Sequence, residues 1–201
     1  MAHAHDFVPA AGHRWLLPLY DPFVALFSRE RKWRGATLDA LDLKAGDTLV
    51  DVGSGTGTLA IMAKARVPNA KVIGVDPDPD AVAQSKRKAA RKGYDVAFLQ
   101  GFGSDTAKLV GNGQATKAVS SMAFHHMPRD VQQATLASIH ATLAPGGRLV
   151  IADFIGGGHF GSRPEADLTE DLNAAGFRNV RTLSRFRVAF ADAALFSAEK
   201  P

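Results

Sequence analysis

The chain has 201 residues, 46% of them hydrophobic and none of them cysteine, with a formal net charge of +4. That length suits one domain with a real core. The lack of cysteine excludes disulfides, a thiol nucleophile and thiolate-held metal, and no apolar run reaches the ~18 residues of a membrane-spanning helix.

The N-terminal "MAHAHDFVPA" has no basic segment followed by an apolar core, so no signal peptide is read and a cytoplasmic location is expected. His3 and His5 sit on this terminus and are not taken as a metal site; no metal is expected. Next comes "LLPLYDPFVALFSRERKWR". Asp21 is placed to cap a helix with Pro22 at its first position. Phe23, Leu26 and Phe27 fall at helical spacing, and Arg29, Arg31, Lys32 and Arg34 follow. Residues 1–45 are therefore read as a helical preface. The favoured role is a lid over a cleft, with Tyr20 facing the site as a hydrogen-bonding or cation–π group. The other is a helix lying peripherally on an anionic membrane.

From residue 46 onward, short apolar runs alternate with helical patterns, which indicates βαβ units and a parallel sheet. The expected strands are "DTLVDVG", "AKVIGVD", "DVAFLQG", "KAVSSMAF" and "RLVIADF". The expected helices run from Thr58 to Ala65, Asp80 to Lys92, Asp105 to Leu109, Pro128 to Leu143 and Glu165 to Ala175. Gly176 caps the last of these, and "APGG" is read as a turn. "NVRTLSRFRVAF" and "AALFSAE" form a closing antiparallel pair. The helix carrying "KRKAARK" groups Lys86, Arg87, Lys88, Arg91 and Lys92 on one face, with Val82, Ala83, Ala89 and Ala90 opposite. That is a surface helix on a sheet. It has no interleaved aromatic residues to stack bases, so nucleic acid is not the expected partner.

The stretch "LVDVGSGTGTLA" leaves a strand and opens a helix, with Gly53, Gly55 and Gly57 at alternate positions. Glycine permits sharp turns and close backbone approach, and a helix N-terminus offers unpaired N–H groups. The dinucleotide fingerprint needs its third glycine one position later, and a P-loop needs Gly-Lys-Ser/Thr. The loop thus has neither phosphate signature. Asp76 ends the second strand, where an acid can bind both hydroxyls of a ribose. A nucleoside without phosphate points to S-adenosylmethionine.

Those residues carry a family resemblance. "LVDVGSGTGTLA", "VIGVDPDPDAV", "SSMAFHHMP" and "LAPGGRLVIADF" resemble, in order, the motifs of class I S-adenosylmethionine-dependent methyltransferases. The preface resembles that of UbiE-type quinone-biosynthesis enzymes and of soluble phospholipid N-methyltransferases. The resemblance implies a Rossmann-like α/β fold: a mostly parallel seven-stranded sheet, an antiparallel C-terminal hairpin strand, and helices on both faces. It implies a single domain over 1–201, with 1–45 as lid and 46–201 as core. It also implies a site. Asp51 would orient the loop and the cofactor's amino group, and Gly53, Ser54, Gly55 and Gly57 would pass the methionine and ribose. Asp76 would hold the ribose, and Pro77 and Ser121 would also line the cofactor site. Relatives carry "GD" after the third strand; here Gly101 and Phe102 stand there. Phe102 would pack on adenine, and Asp105 would reach its amino group.

Methyl transfer needs alignment and exclusion of water, and a base only if the acceptor sheds a proton. His125, His126 and Asp153 lie where the substrate pocket would open and, with Tyr20, are the candidate catalytic residues. The chain has no "NPPY" or "DPPY" run, which in the family goes with methylation of exocyclic amines or glutamine. The absence of cysteine argues against arsenic and cytosine-C5 methylation. A small or lipophilic acceptor follows, such as a quinone precursor or phospholipid headgroup, with S-adenosylhomocysteine as product. Two rivals stay open: an RNA or protein methyltransferase docking through basic helices, and an inactive S-adenosylmethionine-binding module.

Overall fold

The structure is a computed structural model, and it describes residues 30–156, 164–188 and 191–201. Tyr20 and the capped helix expected after Asp21 lie outside the described residues. The strands are β1 (Thr48–Val52), β2 (Lys71–Asp76), β3 (Ala97–Gln100), β4 (Ala115–Ser121), β5 (Leu143–Phe154), β6 (Arg178–Val188) and β7 (Ala191–Glu199). The helices are α1 (Glu30–Leu41), α2 (Thr58–Arg66), α3 (Pro79–Arg91), α4 (Thr106–Val110), α5 (Arg129–Thr142) and α6 (Glu165–Ala174). They build a seven-stranded sheet in the order β3-β2-β1-β4-β5-β7-β6. The first five strands are parallel, and β7 and β6 add antiparallel at one edge.

Successive side chains of a strand point to opposite faces, and both faces here are covered. Leu49, Val119 and Val150 pack with α1, α2 and α3. Val50, Ala118 and Leu149 pack with α5 and α6. Near-continuous apolar strands follow from this double burial. The described part of the preface, α1, packs on β4, β5 and β6 as part of the first layer. Arg148 Nη1 donates to the Ala40 carbonyl at 3.2 Å and pins the end of α1 to β5.

Local chemistry sets the ends. Asp78 caps α3 by accepting from the Asp80 and Ala81 amides at 2.8 and 3.4 Å, with Pro79 in the first turn. Gly176 ends α6 with φ +95°, and the Phe177 amide donates back to Leu172 at 3.1 Å. The "APGG" segment differs from a free turn: β5 already begins at Leu143. Pairing with β4 jumps from Ala115↔Leu143 to Lys117↔Arg148, so the glycines form a bulge inside the strand. On α3, Ala90 is exposed and Lys88 is half-buried, so the charged face is narrower than the sequence implies.

Phe177 is fully buried and meets His140 edge-on at 5.0 Å between ring centres. Phe177→Ala should cost about 3–5 kcal/mol. Urea unfolding would show it as a lower midpoint at unchanged slope.

Candidate active site

The expected cofactor residues gather at the carboxyl ends of neighbouring strands, where ligands of open α/β sheets bind. Hydrogen bonds tie them together. The Gly53 and Ser54 amides donate to the Val75 carbonyl at 2.8 and 3.1 Å. The Gly55 amide donates to Asp76 Oδ2 at 2.7 Å, and the Asp78 amide to Oδ1 at 3.0 Å. The Gly101 amide donates to the Asp76 carbonyl at 3.0 Å. Pro77 follows directly, and Ser121 ends β4 opposite Ala152 of β5. Phe102 stands 48% exposed on the rim. Asp105 is half-buried in the short 3-10 turn that follows.

The three loop glycines serve different ends. A Cβ on Gly53 would lie 2.5 Å from the Ala123 side chain, and one on Gly57 2.6 Å from the Phe98 ring. Their missing side chains are filled by protein. Gly55 has φ +52° and nothing within 4 Å of its Cβ position. Only this glycine leaves space for a ligand, a narrower result than the sequence implies. Lys88 braces the loop from α3, donating to Thr56 Oγ1 at 3.1 Å and Thr58 Oγ1 at 2.9 Å.

Asp76 is buried, and that burial raises its pKa, with the Asp78 and Gly55 amides pulling it down. A carboxylate accepts about four hydrogen bonds, so two backbone donors leave room for ligand hydroxyls. Asp51 is 1% exposed, and among the described residues neither of its oxygens has a partner at normal hydrogen-bond geometry. Burial pushes its pKa up to about 7; the Arg34 charge lowers it, Asp76 raises it, and the Ala60 amide gives the weakest of the four influences. Among the described residues, the buried Ser54 Oγ, Trp33 Nε1 and Arg34 Nε also have no hydrogen-bond partner.

On the acceptor side, a 3-10 turn at Phe124–His126 follows β4. Asp153 organises it from the end of β5. Its Oδ2 accepts the Phe124 amide at 2.7 Å, and its Oδ1 pairs with His125 Nδ1 at 2.6 Å. Gln132 Nε2 clamps the turn from α5, donating to the Phe124 and Met127 carbonyls at 2.9 and 3.0 Å. His125 packs edge-on to Phe154 at 4.7 Å and lies 3.9 Å from His126 between ring centres. The structure thus separates the two histidines. His125 is locked, while His126 is open to solvent. Partial burial, then the neighbouring His125, hold the His126 pKa below the usual histidine value, and Asp153 pulls it back.

The sequence matches a family model described as a methyltransferase domain over residues 49–147. Over those residues the chain is similar to class I S-adenosylmethionine-dependent methyltransferases. A demethylmenaquinone methyltransferase of Thermus thermophilus is 36% identical over 141 residues, covering 69% of this chain and 62% of that one. Among solved structures, Haemonchus contortus phosphoethanolamine N-methyltransferase 2 in complex with S-adenosylmethionine aligns with TM-score 0.71 at 16% identity, covering 85% of this chain and 52% of that one. The [4+2]-cyclase SpnF aligns with TM-score 0.73 at 18% identity, covering 85% and 80%. At such identities the two structures speak for the fold alone. The chain spans less than two thirds of the length of the first curated relatives it matches.

The cofactor implied by that similarity is S-adenosylmethionine, and the residues present fit it. A nucleoside with a zwitterionic methionine tail needs a buried acid without a partner, unused hydroxyl-binding capacity and open backbone. Asp51, Asp76 and Gly55 supply these. Sequence reasoning missed Trp33, Arg34, Lys88 and Gln132 as parts of the site. Only the pairing of Trp33 with Arg34 at the end of a basic run gave any signal.

The Asp51 pKa lies above its unfolded value of 3.8, so its contribution to stability falls as pH rises through about 7. Asp51→Asn should therefore stabilise the ligand-free protein at pH 8 by on the order of 2 kcal/mol and by less at pH 5, read from urea unfolding. The same carboxyl must ionise to meet an ammonium. Affinity for S-adenosylhomocysteine should rise with pH through about 7 and level off above it, read by titration calorimetry.

Proposed function

We propose that the protein transfers a methyl group from S-adenosylmethionine to a small lipophilic acceptor, with demethylmenaquinone the leading candidate and a phospholipid headgroup the second. The observation that carries this reading is the buried His125–Asp153 pair on the acceptor rim, in a chain similar to a demethylmenaquinone methyltransferase. An acceptor that sheds a proton needs a base held in one orientation.

In this reading Asp51 takes the ammonium of the methionine end, Asp76 the ribose hydroxyls and Phe102 one face of the adenine. Asp105 reaches the adenine amino group, and Ser121 lines the cofactor site. When bound, the cofactor supplies a methyl already activated on a sulfonium. The protein's remaining tasks are alignment, exclusion of water and removal of a proton. Asp153 accepts from His125 Nδ1–H, which fixes the tautomer and leaves Nε2 as the atom that takes the acceptor's proton. His126 shields this pair on its solvent side. No described helix is long and apolar enough to cross a membrane. Peripheral contact would fall to residues 1–29.

Incubation with methyl-labelled S-adenosylmethionine and demethylmenaquinone, phosphatidylethanolamine, total RNA or ribosomal protein tests the reading. Label on demethylmenaquinone supports it. Label on RNA or protein alone moves the protein to the macromolecular class, and tight cofactor binding with no label anywhere makes it a binding module. His125→Asn should lower kcat by about 10²–10⁴-fold while affinity for S-adenosylhomocysteine stays unchanged. His126→Ala should lower kcat less than about tenfold in the same assay.

A further inference from the structure

We infer that Arg34 is a cofactor-binding residue: its guanidinium receives the α-carboxylate of the methionine end, next to the Asp51 carboxylate that takes the α-ammonium. This rests on the S-adenosylmethionine reading above.

Four observations converge on Arg34. First, α1 packs on the sheet face that Asp51 addresses. Strand alternation puts Asp51 on the side of Leu49, whose cluster contains Trp33, Leu38 and Leu41 of α1. Second, the Arg34 charge is the largest electrostatic influence on Asp51 after burial itself. Third, the Arg34 side chain is 15% exposed, and its Nε is buried without a hydrogen bond among the described residues. Glu30, one turn earlier, lies 2.5 Å from that Nε without the alignment of a hydrogen bond. Fourth, the guanidinium lies over its own neighbour, with its Cζ 4.7 Å from the Trp33 ring centre. A guanidinium has five donors in a rigid fork suited to a carboxylate, and Glu30 meets only one edge.

The chemistry of the ligand completes the argument. An α-amino acid carries a positive and a negative group on one carbon. A site that takes it into a low-dielectric cleft must offer one of each sign. Asp51 alone would hold the ammonium and leave the ligand carboxylate buried without a counter-charge. Arg34 is the cation that already acts on Asp51. Glu30 is 7% exposed and keeps the arginine extended along α1. Glu30 and Arg34 are spaced i, i+4, the geometry of a pair on one helix face.

Titration calorimetry with three nucleosides tests this: S-adenosylhomocysteine, its decarboxylated analogue that keeps the amine, and 5′-methylthioadenosine, which has neither group. The wild-type protein should bind the decarboxylated analogue about tenfold or more weaker than S-adenosylhomocysteine. Arg34→Ala should erase that difference while leaving 5′-methylthioadenosine affinity within about twofold, and Arg34→Lys should keep part of it. Equal wild-type affinity for the first two ligands overturns the inference even if Arg34→Ala does not fold. A parallel loss for all three ligands in Arg34→Ala overturns it too, since it marks a purely structural arginine. Failure of the wild-type protein to bind any of them would instead overturn the cofactor reading itself.

Discussion

An ionisable carboxyl group buried without a partner is among the most costly features a fold can hold, and among the described residues Asp51 is one. It sits at the carboxyl end of β1, near the middle of the sheet, and is 1% exposed. Much of the surrounding structure answers that constraint. The glycine loop hangs its amides on Val75 and Asp76 rather than on Asp51. Helix α1 brings Arg34 to the same face of the sheet. The free protein pays for this arrangement in stability. A cationic ligand group placed there recovers what the empty fold forgoes, as expected for a site kept ready for binding.

The sheet then divides the chemistry between its faces. Side-chain alternation sends Asp51 and Asp76 toward the layer of α1, α2 and α3. It sends Asp153 toward α5, where the His125 turn is clamped by Gln132. In the proposed reading, cofactor recognition and proton removal thus rest on opposite layers but meet at one rim, where β1, β4 and β5 end side by side. Met122 has φ +52° at the end of β4, between the two halves. A methionine held in the left-handed region is strained backbone at a functional junction.

Much of this was legible in the sequence because it depends on local signals. The alternation of apolar runs gave the strands. Gly176 marked a helix end through chemistry that acts within a few residues. The glycine loop and Asp76 were visible because their spacing is fixed by a strand-to-helix turn. What stayed hidden depends on long-range packing. Glu30 and Arg34 at i, i+4 spacing look like a surface pair; only the seating of α1 on β4, β5 and β6 buries them. Lys88 belongs to a run of basic residues and separates from it because Thr56 and Thr58 lie within reach. "APGG" reads as a turn because glycine and proline mark a bulge and a turn with the same letters. The roles of Gly53 and Gly57 depended on Ala123 and Phe98, which are far away in sequence.

The most direct test of the account is carbon-13 NMR of the aspartate side-chain carboxyls, followed from pH 5 to 9 with and without S-adenosylhomocysteine. The account predicts one resonance that titrates near pH 7 in the free protein. It should be absent in Asp51→Asn, and the nucleoside should drive it to its ionised position across the whole range. No aspartate titrating near neutrality, or one that titrates there and ignores the nucleoside, would contradict the claim that Asp51 is the buried acid on which cofactor binding turns.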